Sequence, residues 1–159
     1  MKNFFELFLL PTDFTIDEIA LEKKYLEFQK LLHPDKSGAE DISRSIEINQ
    51  AYKILADDFL RACHLLALKG VDILNDEKAV KPEMSTLEEV LELQEIITEI
   101  SDQQAIEQLR KKISLQIRDL ISHGVMSYKV NDTEHAAQLL VKAKYLKKSL
   151  EDLKLKKKN

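Results

Sequence analysis

The sequence holds few residues that interrupt a helix: three glycines and three prolines in 159 positions. That scarcity leaves little material for hairpin turns, phosphate-cradling loops or a dinucleotide-binding crossover, and it predicts an all-α chain of long helices. One cysteine, Cys63, is too few for an internal disulfide or a four-ligand structural zinc site and suits a reducing compartment. Positive charge is not in excess either: a formal net charge of −4 argues against nucleic acid as a principal partner. No run approaches the roughly 20 consecutive apolar residues of a membrane span. Met1 to Leu10, interrupted by Glu6 and carrying only Lys2 as a basic residue, reads as a folded N-terminus and not as an export signal. The expectation is a soluble, cytoplasmic protein, its 44% apolar residues enough for one compact domain or two small ones.

What is present is helical periodicity. Phe4 to Leu9 is a short apolar run ending before Pro11, which suits a helix of one or two turns. Thr15 and Glu18 have capping-box spacing, so a second helix is expected from about Ile16 to Leu32. Along it Leu21, Tyr25, Phe28 and Leu32 share one face, and Lys23 and Lys30 project nearly opposite, flanked by Lys24 and Glu27. His33-Pro34-Asp35-Lys36-Ser37-Gly38 then breaks the pattern as a turn. A third helix from about Glu40, packing through Ile42, Ile46, Ile48, Asn49, Tyr52 and Leu55, is expected to run antiparallel to the second. After Asp57-Asp58 a fourth helix carries Phe59, Ala62, Cys63, Leu66 and Ala67 and ends at Gly70, a left-handed cap.

Residues 71–83 mix polar residues with Pro82 and read as a connection. Three helices are expected beyond it, at 84–100, 103–122 and 133–156, folding as an antiparallel bundle. The middle one shows a stripe of Ile106, Leu109, Ile113, Ile117 and Leu120 and is expected to stop at Gly124. The last carries Leu139, Ala143, Leu146, Leu150 and Leu153, with Lys156-Lys157-Lys158 as a frayed tail. On the first, Val90, Leu93, Ile97 and Ile100 define the core stripe, while Leu87 and Leu91 fall to one side. Glu88, Glu92, Glu95 and Glu99 stack beside them, with no lysine or arginine between residues 83 and 100. Like charges at this spacing cost about 0.2–0.5 kcal/mol per pair, which a basic partner would relieve. Tyr145 likewise lies off the leucine stripe. These residues suit a docking patch with an apolar centre and a polar rim, and they equally suit plain packing against neighbouring helices.

By itself His33-Pro34-Asp35 is open to three readings: a metal half-site, a His–Asp catalytic pair, or a polar turn. A metal site lacks further ligands, since His64, His123 and His135 are isolated. No serine sits in a Gly-x-Ser-x-Gly turn, Cys63 lies on an apolar face, and no positioned base accompanies Glu92 and Glu95. The context of the tripeptide is more specific. The short helix with Phe4, Phe5, Leu7 and Leu9, the helix ending Phe28-Gln29-Lys30-Leu31-Leu32, the His33-Pro34-Asp35-Lys36 turn and the segment Ile48-Asn49-Gln50-Ala51-Tyr52 together resemble a J-domain. Arg61-Ala62, Leu65-Leu66, Leu91-Glu92-Leu93-Gln94-Glu95 and Lys144-Tyr145-Leu146 extend the likeness to the HscB family, the iron–sulfur cluster co-chaperones, from Phe4 to about Leu153.

The resemblance implies a J-domain at 1–70, a connecting segment at 71–83 and a three-helix bundle at 84–159. It implies no enzymatic activity, no cofactor and no metal; the cysteine pairs of some eukaryotic relatives have no counterpart here. The partners it implies are a seventy-kilodalton heat-shock chaperone of the HscA type and a cluster scaffold of the IscU type. Chaperone contacts would fall on His33, Pro34, Asp35, Lys23, Lys24, Lys30 and Lys36, and scaffold contacts on Leu87, Leu91, Glu92, Glu95, Glu99 and Tyr145. Two departures weaken these expectations: Glu22 and Glu27 dilute the basic ridge, and Glu88 stands where close relatives have a second apolar residue. A J-domain protein serving an unrelated client through its bundle is the alternative.

Overall fold

The structure is a computed structural model that describes residues 1–32 and 38–157. Among these residues there are seven helices and no strand: α1 (Phe4–Leu7), α2 (Glu18–Leu31), α3 (Ala39–Ala56), α4 (Asp58–Leu68), α5 (Met84–Glu99), α6 (Gln103–Lys129) and α7 (Thr133–Lys157). The chain divides into two compact units, Met1–Gly70 and Val71–Asn159.

In the first unit α2 and α3 form an antiparallel hairpin. Tyr25 stacks on Tyr52 at 4.0 Å between ring centroids. Asn49 Oδ1 accepts from the Tyr25 hydroxyl (2.7 Å) and from Gln29 Nε2 (2.9 Å), which fixes the register of the two helices. The core holds Leu21 and Phe28 from α2 and Ile48, Ala51 and Leu55 from α3. Two expectations need correction. The cap of α2 is Asp17, whose carboxylate accepts the Ala20 N–H, so the helix starts at Glu18 and Thr15 lies outside it. Ile42 and Ile46 are 53% and 63% exposed and do not pack; at 100° per residue they project roughly opposite the Ile48–Ala51–Leu55 face.

Helix α4 is buried nearly all round, through Phe59, Ala62, Cys63, Leu65 and Leu66, and Asp57 caps its start by accepting the Leu60 N–H. Gly70 follows its end with φ +85°, the left-handed conformation that a side chain would oppose. Arg61, only 4% exposed, holds three segments together. Its guanidinium donates to Phe14 O (2.7 Å), Leu55 O (2.6 Å) and Asp58 Oδ1 (2.7 Å) and lies over the Phe14 ring. Burying this charge is tolerable because its fork is so fully used.

In the second unit α6 and α7 form the principal helix pair. Ile106, Ile113, Ile117, Leu120, Ile121 and Val125 are buried on α6, and Ala136, Ala137, Leu140, Val141, Ala143, Leu146 and Leu153 on α7. Gly124 does not end α6, which continues to Lys129. A Cβ there would lie 3.2 Å from the Leu140 side chain, so the glycine serves close helix approach and not termination. Helix α5 packs on α7 and runs parallel to it, as the pairs Glu83–Gln138 and Glu89–Lys142 require. Residues 71–83 belong to this unit: Ile73 is buried, and the Lys144 ammonium donates to Ile73 O and Asp76 Oδ1. No helix among the described residues is long and apolar enough to cross a membrane.

Candidate functional site

Of the expected chaperone-facing residues, Lys23, Lys24 and Lys30 lie on α2. Its inward stripe is occupied by Leu21 and Phe28, which turns Lys23 and Lys30 outward, two helical turns apart and both exposed. Lys24 behaves differently: half-buried, it lies 5.3 Å from the Phe28 ring centroid and pairs with Glu27 at 3.5 Å. Its ammonium is thus partly engaged within α2. His33, Pro34, Asp35 and Lys36 lie outside the described residues. Sequence periodicity overlooked two apolar neighbours of the lysines. Ile19 and Leu26 are 80% and 52% exposed and alternate with Lys23 and Lys30 at four-three-four spacing, so the outer face of α2 is a mixed stripe. The visible signal was the same spacing used for the core, displaced to the opposite side.

The expected scaffold-facing residues lie on α5 and α7. Leu91 is 66% exposed, whereas Leu87 and Tyr145 are half-buried. Glu92, Glu95 and Glu99 are exposed and make no ion pair among the described residues; Glu89, on the flank, pairs with Lys142 at 2.8 Å. The parallel register of α5 and α7 brings Tyr145 close to the level of Leu91. Tyr145 also borders a cleft of about 280 Å³ lined by Ile73, Ala79, Val80, Pro82 and Val141. Exposed Met84 and Ile96 extend the apolar surface of α5 beyond the residues picked out by pattern. Lys144 holds the rim of the cleft: its hydrogen bond and charge push the Asp76 carboxyl below its ordinary range.

Of the isolated polar residues, His64 is neither a ligand nor exposed. Its Nε2 accepts the Phe4 N–H at 3.1 Å, its ring stacks on Phe4 at 4.6 Å, and burial pushes its pKa down. Cys63 is buried beside it in α4. No group of three His, Cys, Asp or Glu side chains that could hold a metal ion occurs among the described residues.

A helical hairpin with a short leading helix, followed by a separate helical unit, is the arrangement of a J-domain co-chaperone, and solved structures match it along nearly the whole chain. Human co-chaperone HscB superposes with a TM-score of 0.83 at 25% identity, covering 99% of this chain and 83% of that one. Chaperone HscB from Vibrio cholerae gives 0.80 at 25% identity over 97% and 96% of the two chains. The Jac1 co-chaperone of Saccharomyces cerevisiae shares the fold, with a TM-score of 0.78 at 23% identity over 96% and 97%. The family description "HSCB C-terminal oligomerisation domain" fits residues 82–154. Among sequences, the co-chaperone protein HscB homolog of Acinetobacter baylyi is 33% identical, spanning 95% of this chain and 88% of its own length. That of Shewanella loihica is 31% identical over 92% of each. The chain belongs to the HscB co-chaperone family, and as a co-chaperone it is not itself an enzyme.

Proposed function

We propose that this protein delivers an iron–sulfur cluster scaffold of the IscU type to a seventy-kilodalton heat-shock chaperone of the HscA type, and that it stimulates that chaperone's ATP hydrolysis. The observation that carries the reading is the match to HscB co-chaperones over more than nine-tenths of the chain, in a sequence that carries His33-Pro34-Asp35 directly after the α2 segment and an exposed Leu91 near Glu92 and Glu95, which make no ion pair among the described residues. On this reading residues 1–70 are the J-domain and 84–159 bind the scaffold, while 71–83, the expected connecting segment, packs within the second unit. The bacterial relatives support a cytoplasmic site of action.

Lys23 and Lys30, with Lys24 and Lys36 in support, steer the J-domain toward an acidic surface of the chaperone. Asp35 pairs with a chaperone arginine, while His33 and Pro34 set the geometry of the contact. A partner that supplies no catalytic group accelerates hydrolysis only by binding more tightly to a state nearer the transition state than to the resting ATP state. Leu87, Leu91 and Tyr145 supply the apolar centre for the scaffold, and Glu92, Glu95 and Glu99 the acidic rim.

Single-turnover ATP hydrolysis by the chaperone tests the first half. Asp35→Asn should abolish stimulation while helicity and scaffold binding persist; retained stimulation would refute the assignment. Leu91→Ala combined with Tyr145→Ala should lose scaffold affinity in calorimetry yet still stimulate the chaperone in the scaffold's absence. Undiminished affinity would move the docking patch elsewhere. A wild-type chain that stimulates the chaperone but ignores the scaffold would point to a different client.

A further inference from the structure

We propose that Lys156 is a positioning residue for the docking face of α5: it closes that helix from outside and so holds the acidic face in the geometry that binds. The inference rests on α5 being the scaffold-docking helix.

Helix α5 is poorly built to stand alone. Five glutamates lie along it, Glu88, Glu89, Glu92, Glu95 and Glu99. None falls in the first turn, where the macrodipole would welcome negative charge, and Glu99 sits at the opposite end, where it is opposed. The last turn has no basic residue, and the helix ends in extended backbone at Ile100 without a glycine cap. Only Thr86 and Ile97 are fully buried along its 16 residues. A charge arrangement suited to a basic partner thus works against the helix that carries it.

Helix α7 supplies what α5 lacks. The Lys156 ammonium donates to Ile97 O at 2.6 Å, Thr98 O at 2.9 Å and Ile100 O at 2.7 Å, so all three of its hydrogens meet carbonyls at the end of α5. This satisfies carbonyls that the end of the helix leaves free and puts a positive charge at the negative pole. Two further α7 side chains hold the rest of the helix. Gln138 accepts the Glu83 N–H and donates to Lys81 O, and Lys142 pairs with Glu89. Lys142 takes up the Glu89 carboxylate, whereas Lys156 meets α5 through backbone carbonyls, and neither Glu95 nor Glu99 forms an ion pair among the described residues.

The test uses the full chain and a purified IscU-type scaffold. Lys156→Met keeps the apolar stem and removes the donors; Lys156→Gln is the alternative should the methionine variant fold poorly; Lys156→Arg keeps charge and donors. Loss of the charged hydrogen bonds should weaken scaffold binding about tenfold in calorimetry, and Lys156→Arg should restore most of it. Hydrogen exchange should quicken at amides near 96–100 and stay unchanged in α6. Equal affinity and equal exchange in Lys156→Met and wild type would overturn the proposal. Faster exchange with unaltered affinity would overturn it too, since α5 would then be held without consequence for docking. If wild type itself does not bind the scaffold, the docking reading fails, and unchanged exchange would then remove the Lys156 clasp as well.

Discussion

A helix of four residues such as α1 cannot persist on backbone hydrogen bonds, because the cost of nucleating it is never recovered by propagation. What holds α1 is side-chain chemistry: Asn3 accepts two of its N–H groups, Phe5 is buried, and His64 accepts the Phe4 N–H. Acceptance at Nε2 places the imidazole proton on Nδ1 and requires the neutral ring. Burial lowers the folded-state pKa of His64 below its ordinary value of 6.5, so as pH falls the unfolded chain takes up the proton first. The His64 contribution to stability is therefore complete above pH 6.5 and is lost as pH falls from there toward the lowered folded value. In urea unfolding at a series of pH values, His64→Gln should flatten the slope in that window; an unchanged slope would rule out His64 as its source. A second residue-scale test concerns Leu9, exposed and with φ 57°, a left-handed conformation that side chains oppose. Leu9→Gly should raise stability by about 1 kcal/mol, read as a higher urea midpoint.

At the scale of elements, the stripes of α2, α6 and α7 were legible because a helical face repeats every three or four residues whatever it packs against. The hairpin was legible for the same reason, and Tyr25, Asn49 and Tyr52 meet across it. Local competition decided the rest. Thr15 and Asp17 both have capping side chains, and periodicity cannot say which one faces the free N–H groups; Asp17 does. The isoleucines of α3 are abundant enough to suggest two faces, and only the partner helix selects Ile48 over Ile42 and Ile46. Lys156 read as a solvated tail because its three carbonyl partners lie 56 to 59 positions away. On the helix proposed for docking, the periodicity picked out Leu91 and the glutamates, whereas the exposure of Met84 and Ile96 followed only from α5's sparse packing. Gly124 read as a stop, because a glycine that ends a helix and one that lets two helices touch look alike in sequence. The second role makes a prediction: a valine at 124 would drive branched carbons into Leu140, already 3.2 Å from an added Cβ and itself buried. Gly124→Val should cost about 2 kcal/mol despite replacing a poor helix former, measured by urea denaturation.

At the scale of the molecule, two units that each bury their own core could in principle exist as two proteins, so their union in one chain calls for a physical reason. On the proposed function that reason is effective concentration. A scaffold held on α5 arrives at the chaperone whenever the J-domain does, at a local concentration on the order of millimolar for a short connection, far above that of free components. Neither unit needs high affinity for this to work, which fits an α2 face where Glu22 and Glu27 dilute the lysines and Lys24 is partly committed to Glu27. The consequence can be read by mixing two variants, each broken at one end. Asp35→Asn retains scaffold binding, and Leu91→Ala with Tyr145→Ala retains chaperone stimulation, so every function is present in an equimolar mixture at micromolar concentration. If physical linkage is what matters, the mixture should fail to transfer scaffold to the chaperone at the wild-type rate, in a fluorescence assay of scaffold–chaperone association. Full recovery would mean that the two units act independently, and that the J-domain primes the chaperone for a scaffold arriving from solution.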